Sequence, residues 1–200
     1  LAADAKKLNP NVKVSLLYWR APGWVDGKWD NTYKWLKNTT IAAYREYGYM
    51  VDIISPGMNE SKDDPAWMKQ FNEWVENDTD GMISNDESAG FRDEEAELFH
   101  KIQIIMSDEV GIASCGSQMV SDADLREAVD IVAYHYNPND DKDGSFTRLA
   151  EEFDKEIWNS EAQATFGATA DRPNNNMEDN AAPGTGIGGN GSALEMADTL

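Results

Sequence analysis

Five short apolar stretches, each leading toward a segment of helical character, recur between Val12 and Glu161, and few folds accept that rhythm. They run from Val12 to Trp19, Val51 to Glu60, Lys101 to Met106, Asp130 to Ala133 and Lys155 to Asn159. Val51, Ile53 and Ile54 are β-branched and apolar, as a sheet covered on both faces requires. Pro56 and Gly57 are expected to end that strand and release Asn59 and Glu60 from the sheet. The intervening segments carry helical spacing. Thr32 to Tyr47 puts Trp35, Leu36, Thr39, Ala43 and Tyr47 on one face, with Gly48 as C-cap. Pro65 to Asn77 opens on proline in its first turn and carries the stripe Trp67, Met68, Phe71, Trp74 and Val75. Asp93 to Phe99, Ser121 to Val129 (capped by Ser121 or Asp122) and Ser145 to Phe153 complete the set. Strand–helix alternation is the pattern of a parallel sheet. Periodicity does not separate a (β/α)8 barrel from an open, doubly wound sheet.

The ends look different. Leu1 to Leu8 reads as the end of a helix with Leu1, Ala5 and Leu8 on one face, stopped by Asn9-Pro10. Phe166 to Gly191 is rich in Asn, Gly, Pro and Asp and reads as a long loop over the strand ends. A last helix starts after Gly191 with Ser192 as N-cap. Opening and closing inside helices, the chain reads as a fragment of a longer protein.

Composition excludes several functions. A formal charge of -20 leaves no basic surface to neutralise phosphates, so no nucleic acid and no anionic membrane surface is expected. Cys115 stands alone, so no disulfide forms within the chain. With His100 and His135 it makes too small a set for a zinc cluster, and no metal or cofactor is expected. No apolar run is long enough to cross a bilayer, and Leu1 opens no signal peptide. The pattern Gly184-Thr185-Gly186-Ile187-Gly188-Gly189 follows no strand, so it cannot make the strand-to-helix turn that holds a pyrophosphate. Four Asn-x-Ser/Thr triplets, starting at Asn38, Asn59, Asn77 and Asn190, carry no weight. The 7 tryptophans exceed what one core ordinarily uses, and flat sugar faces are one use for the surplus.

The unusual polar and aromatic residues gather at the C-terminal ends of the strands, where a (β/α)8 barrel builds its active site. Trp19 and Trp24 flank a Pro-Gly loop, and one of them can stack on a sugar. Asn59-Glu60, Ser107-Asp108, Tyr134-His135-Tyr136 and Ser160-Glu161 end the other four strands. Glycosides are cleaved by two carboxyl groups, one protonated to assist the leaving oxygen and one ionised to attack the anomeric carbon. Double displacement with retention needs the pair about 5–5.5 Å apart. With the Asn-Glu strand counted as the fourth of a barrel, the Ser-Glu strand is the seventh, and Glu60 and Glu161 converge across one mouth. His135 is either a hydrogen-bonded, half-buried histidine or a group orienting the nucleophile or a sugar hydroxyl. Asp108 is either a turn cap or a similar orienting group.

The ordered set Asn9-Pro10-Asn11-Val12, Trp19, Ala21-Pro22-Gly23-Trp24, Asn59-Glu60, Ser107-Asp108, His135-Tyr136 and Trp158-Asn159-Ser160-Glu161 resembles the galactocerebrosidases of glycoside hydrolase family 59. The resemblance covers most of Leu1 to Thr165 and the glycine-rich segment entering the last helix. It implies a (β/α)8 TIM barrel present as a fragment of roughly strands 3 to 7, so that residues 1–200 form the central part of a catalytic domain. It implies retaining hydrolysis of terminal β-galactosyl groups, with a β-galactoside or galactolipid as substrate and glycosphingolipid catabolism as the setting. Glu60 would be the acid/base and Glu161 the nucleophile. Trp19, Asn59, His135 and Tyr136 would contact the sugar, Asn59 through the 2-hydroxyl. A secreted or lysosome-like compartment follows from the family alone. Met58 departs from it, because the family carries Trp before Asn-Glu. Strands one, two and eight and any accessory β-domain would lie outside this chain, and the isolated fragment is expected to show little activity. Two alternatives are a family 30-like barrel acting on another β-glycoside and a catalytically silent carbohydrate-binding barrel.

Overall fold

The structure, a computed structural model, describes residues 1–25, 27–78, 90–92, 94–108, 115–135 and 141–161. Its elements are α1 (Ala2–Leu8), β1 (Ser15–Tyr18), α2 (Trp29–Tyr47), β2 (Ile53–Met58), α3 (Pro65–Asn77), α4 (Glu95–Phe99), β3 (Gln103–Met106), α5 (Cys115–Ser121), α6 (Ala123–Ala128), β4 (Ile131–His135), α7 (Ser145–Phe153) and β5 (Glu156–Glu161). All four strand pairings are parallel, and the order is β1-β2-β3-β4-β5. A doubly wound sheet reverses direction at a switch point, whereas strands added one after another build the wall of a barrel. The five strands form a curled half-barrel with helices, which answers what periodicity left open.

Alternation along the strands makes two apolar faces. Ile54, Ile104, Met106 and Val132 turn to the helix layer and pack with Tyr33, Leu36, Phe71, Leu125 and Leu149. Ile53, Ile105, Ile131 and Ala133 form a second, smaller cluster with Trp158 against it. Both faces are apolar because both are covered, which is why these strands read as continuous apolar runs.

Aspartates set the register at the strand entries. Asp52 Oδ2 accepts from the backbone N–H of Val14 at 2.7 Å and pairs with Lys6 Nζ at 2.7 Å. Asp130 Oδ2 does the same for the N–H of Ile104 at 2.7 Å. Each carboxylate ties the start of one strand to its neighbour, so the strand exits are fixed relative to one another. Helix starts follow the expected chemistry: Asp64 caps α3 through Ala66 N–H, and Asp122 caps α6 through Leu125 N–H. Gly48, at φ 76°, ends α2 in the left-handed conformation.

Several boundaries differ from the sequence reading. β2 does not stop at Pro56; it runs through Pro56 and Gly57 to Met58. The β1–β2 register shifts there, Leu16 facing Ile54 and Tyr18 facing Met58, so the missing proline N–H has no regular partner to serve. Helix α5 was not foreseen, and α2 begins at Trp29 rather than Thr32. The face of α1 that carries Leu1 and Leu8 is exposed. The loop and helix expected beyond Glu161, the glycine-rich motif, most of Asp78 to Gly90 and Tyr136 lie outside the described residues.

Candidate active site

The site grows from the exit of β2. Asn59 N–H donates to Tyr18 O at 2.9 Å, so β1 still holds the chain after the strand has ended. Glu60 then turns into the left-handed region, at φ 54°. A non-glycine residue rarely rests there, and such residues cluster where function needs an unusual direction. Two backbone bonds hold the turn: Glu60 N–H to Asp108 O at 2.7 Å and Ser61 N–H to Met58 O at 3.1 Å. Asn59 is thereby buried, at 6 % exposure. Glu60 keeps 30 % of its side chain in solvent.

β5 supplies the second carboxylate through an irregularity. Ala133 faces Trp158 and Tyr134 faces Asn159, but His135 faces Glu161, and Ser160 is the extra residue. A bulge of this kind re-aims a side chain. Strict alternation would send Ser160 and Glu161 to opposite sides. Here both reach the strand ends where His135 sits: Ser160 bonds Asp108, and Glu161 Oε2 lies 3.8 Å from His135 Nδ1. One carboxylate oxygen each from Glu60 and Glu161 and a ring nitrogen of His135 all lie within 4.8 Å of one another.

His135, fully buried, occupies the centre of the cluster. Its Nδ1 is 3.6 Å from Glu60 Oε1, and its Nε2 is 3.6 Å from Asp108 Oδ1. These separations exceed an ordinary hydrogen bond, so the attraction is mainly one of charge. Burial alone pushes the imidazole pKa down; the interaction with Asp108, the charges of Glu161 and Asp108 and the contact with Glu60 outweigh it and raise the value above 6.5. For Asp108 burial works upward, and the interactions with His135, Ser160 and Ser55 hold the carboxyl below its usual range. Ser160 Oγ donates to Asp108 Oδ1 at 2.6 Å.

The structure brings together Glu60, His135 and Glu161, and buried Asn59 directly precedes Glu60. Trp19 stands at the exit of β1 with 69 % exposure, on the same end of the sheet. Beside it Tyr18, Arg20, Ala21, Gly27, Thr32 and Met58 line a cleft of about 330 Å³. A larger cavity, about 450 Å³, lies at the far end of α2 around Tyr44, Arg45 and Glu95, and Arg45 and Glu95 neutralise each other there through a two-point ion pair. We place the site at the strand exits where the carboxylates converge, and Met58 of the smaller cleft stands two residues before Glu60 in the chain. Ser55 and Ser160 were missed as site residues. A hydroxyl inside an apolar strand, as at Ser55, was the available signal. Glu60, His135 and Glu161 also have the reach of a two-carboxylate, one-imidazole metal site. A metal needs the ring nitrogen unprotonated, whereas three surrounding carboxylates favour the proton.

Residues 1–182 match the model of glycosyl hydrolase family 59. The galactocerebrosidase of Danio rerio is 28% identical over 174 residues, which cover 83% of this chain and 22% of that protein. The chain thus spans less than a quarter of the length of this relative. The crystal structure of SrfJ from Salmonella typhimurium superposes with a TM-score of 0.61 at 15% identity, covering 84% of this chain and 40% of that one. That likeness is one of fold.

Proposed function

The chain belongs to glycosyl hydrolase family 59, and from that premise we propose that it forms the catalytic wall of a retaining glycosidase that removes terminal β-galactosyl groups, including those of galactolipids of the galactosylceramide type. The observation that carries the reading is the approach of Glu60 and Glu161 to within 4.8 Å at the ends of β2 and β5. That approach suits attack by a carboxylate; the inverting route needs room for a water and a separation of about 6.5–9.5 Å. In this reading Glu60 gives its proton to the glycosidic oxygen as Glu161 attacks the anomeric carbon. The carbon–oxygen bond breaks and a galactosyl ester forms on Glu161. Glu60, now ionised, takes a proton from water, whose oxygen displaces Glu161 and returns the sugar with its starting configuration. Asn59 suits a sugar hydroxyl: both polar atoms of its buried amide lack a hydrogen-bond partner among the described residues, a cost that a bound ligand would remove. Trp19 supplies a flat wall for the sugar ring.

The finer fold reading belongs to the same proposal: a (β/α)8 barrel to which these strands contribute roughly the third to the seventh. The curled half-barrel of five parallel strands in sequential order supports it. The test uses the full-length protein that carries these strands, with aryl β-galactosides and added azide. Glu161→Ala should lose turnover while folded, and azide should restore it with formation of the α-galactosyl azide. Glu60→Ala should retain activity on a substrate with a good leaving group, and azide should then yield the β-galactosyl azide. Undiminished hydrolysis by Glu161→Ala would sink the assignment.

A further inference from the structure

Asp108 is buried at the exit of β3 and meets all three neighbouring strand ends at once. Its backbone carbonyl accepts the N–H of Glu60 at 2.7 Å. Its carboxylate accepts from Ser160 Oγ at 2.6 Å, directly before Glu161 in the chain, and Ser55 on β2 helps hold its pKa down. It also faces His135 Nε2 from 3.6 Å. One residue thus ties the turn bearing Glu60 to the bulge bearing Glu161, and stands behind the ring that lies between them.

We propose that Asp108 is a positioning residue of the glycosidase site, fixing the separation of Glu60 and Glu161 and holding the His135 ring between them. This rests on the reaction proposed above. A turn cap would need one hydrogen bond to a neighbouring backbone group; Asp108 instead reaches three other strands. Among the described residues, the titratable groups facing the ring include Glu60 from the β2 exit, Asp108 from the β3 exit and Glu161 from β5. Two carboxylates this close repel each other, and a positively charged ring between them offsets that repulsion. Asp108 is the counter-charge on the opposite side of that ring. It also decides which nitrogen looks toward the pair, as an outer carboxylate does for a metal-bound histidine.

The experiment compares the wild-type protein with Asp108→Asn, which preserves shape and the acceptor for Ser160 but removes the charge. The chain has 2 histidines, so both ring titrations can be followed by NMR. His135 should titrate lower by about one unit or more, as expected for loss of an adjacent charge, while His100 stays unchanged. The kcat should fall on the order of 10- to 100-fold, the range seen when an outer carboxylate is removed. KM should change little, and the alkaline limb of the kcat profile should move to lower pH. A variant that merely melts earlier, with His135 titration and kcat per folded molecule unaltered, overturns the proposal. Where Asp108→Asn fails to fold, Ser160→Ala decides: a lowered kcat with the His135 titration kept supports the tether, and an unchanged kcat overturns it. The outcomes are separable from failure of the reaction itself. Turnover that survives Glu161→Gln removes the glycosidase reading, whereas an unaltered Asp108→Asn in an enzyme that depends on Glu161 removes only this inference.

Discussion

Glu60 is held at a backbone angle that few side chains accept, and the cost is set against the direction it gives the carboxylate. Asparagine visits that region readily. Glu60→Asn should therefore raise stability by about 0.5–1 kcal/mol while turnover is lost; a lower urea midpoint would show that the turn is not strained. The neighbouring charges set a pH window. His135 has its folded pKa raised above 6.5, so the stability it contributes is full below 6.5 and is lost as pH rises through the folded value. Asp108 is held below 3.8, so its contribution is present above 3.8 and is lost as pH falls through the folded value. The Tm should decline on both sides of that window, and His135→Gln should flatten the alkaline decline; equal alkaline slopes would contradict the sign. The sequence singles out Glu60, Asn59, His135 and Glu161 because each stands at the end of an apolar strand. Asp108 stands in the sequence only as one of two alternatives, a turn cap or an orienting group, because a carboxylate after a strand serves as often to cap a turn, and only the other strand ends reveal its partners.

Pro56-Gly57 shows how an element can hide. In a regular central strand both residues weaken pairing, so the sequence reading ended β2 there. The sheet accommodates them because the register with β1 shifts at that point and because Pro56 O accepts from Trp67 Nε1 at 2.9 Å and Tyr18 Oη at 3.2 Å. Gly57 has a further reason to be glycine. A Cβ there would lie 1.7 Å from Asp63 Oδ1. Asp63 in turn accepts the N–H of Ser107 at 2.7 Å, in a turn where Ser107 has φ 74°. Gly57→Ala would push Asp63 away, release Ser107 and disturb Asp108 beside it. The expected result is a loss of about 2–4 kcal/mol by urea denaturation, with a fall in kcat beyond what the unfolded fraction explains. Stability and kcat near wild type would mean that Asp63 moves without consequence. Helix α5 was hidden for another reason. Cys115-Gly116-Ser117 has weak helical preference, and packing against α7 supplies what propensity does not.

For the molecule as a whole, the order of the strands was the one property no local pattern could give, since barrels and doubly wound sheets share the βα rhythm. The order, once seen, separates two regions. The helix side carries most of the buried apolar residues, and the strand exits carry the cluster of Glu60, His135 and Glu161. Stability and turnover should then be separable, and a buried ion pair on the helix side tests this. Lys37 on α2 pairs with Asp78 after α3, both fully buried, and Asp78 also accepts from Tyr33 Oη at 2.7 Å. Lys37 Nζ lies 4.1 Å from the centre of the Phe91 ring. Burial, then the hydrogen bond and charge of Asp78, push the Tyr33 hydroxyl pKa far up, so it stays a donor. Removing one partner of such a pair leaves the other buried without its counter-charge, at a cost of about 3–5 kcal/mol. Lys37→Met should lower the urea midpoint accordingly. In conditions where the variant is still folded, its kcat per folded molecule should match wild type, because none of these groups touches the carboxylate cluster among the described residues. Glu161→Gln should behave in the opposite way, losing turnover with its midpoint nearly unchanged. A Lys37→Met protein that is folded yet slow would show that the helix layer sets the geometry of the strand exits, and the separation would fail.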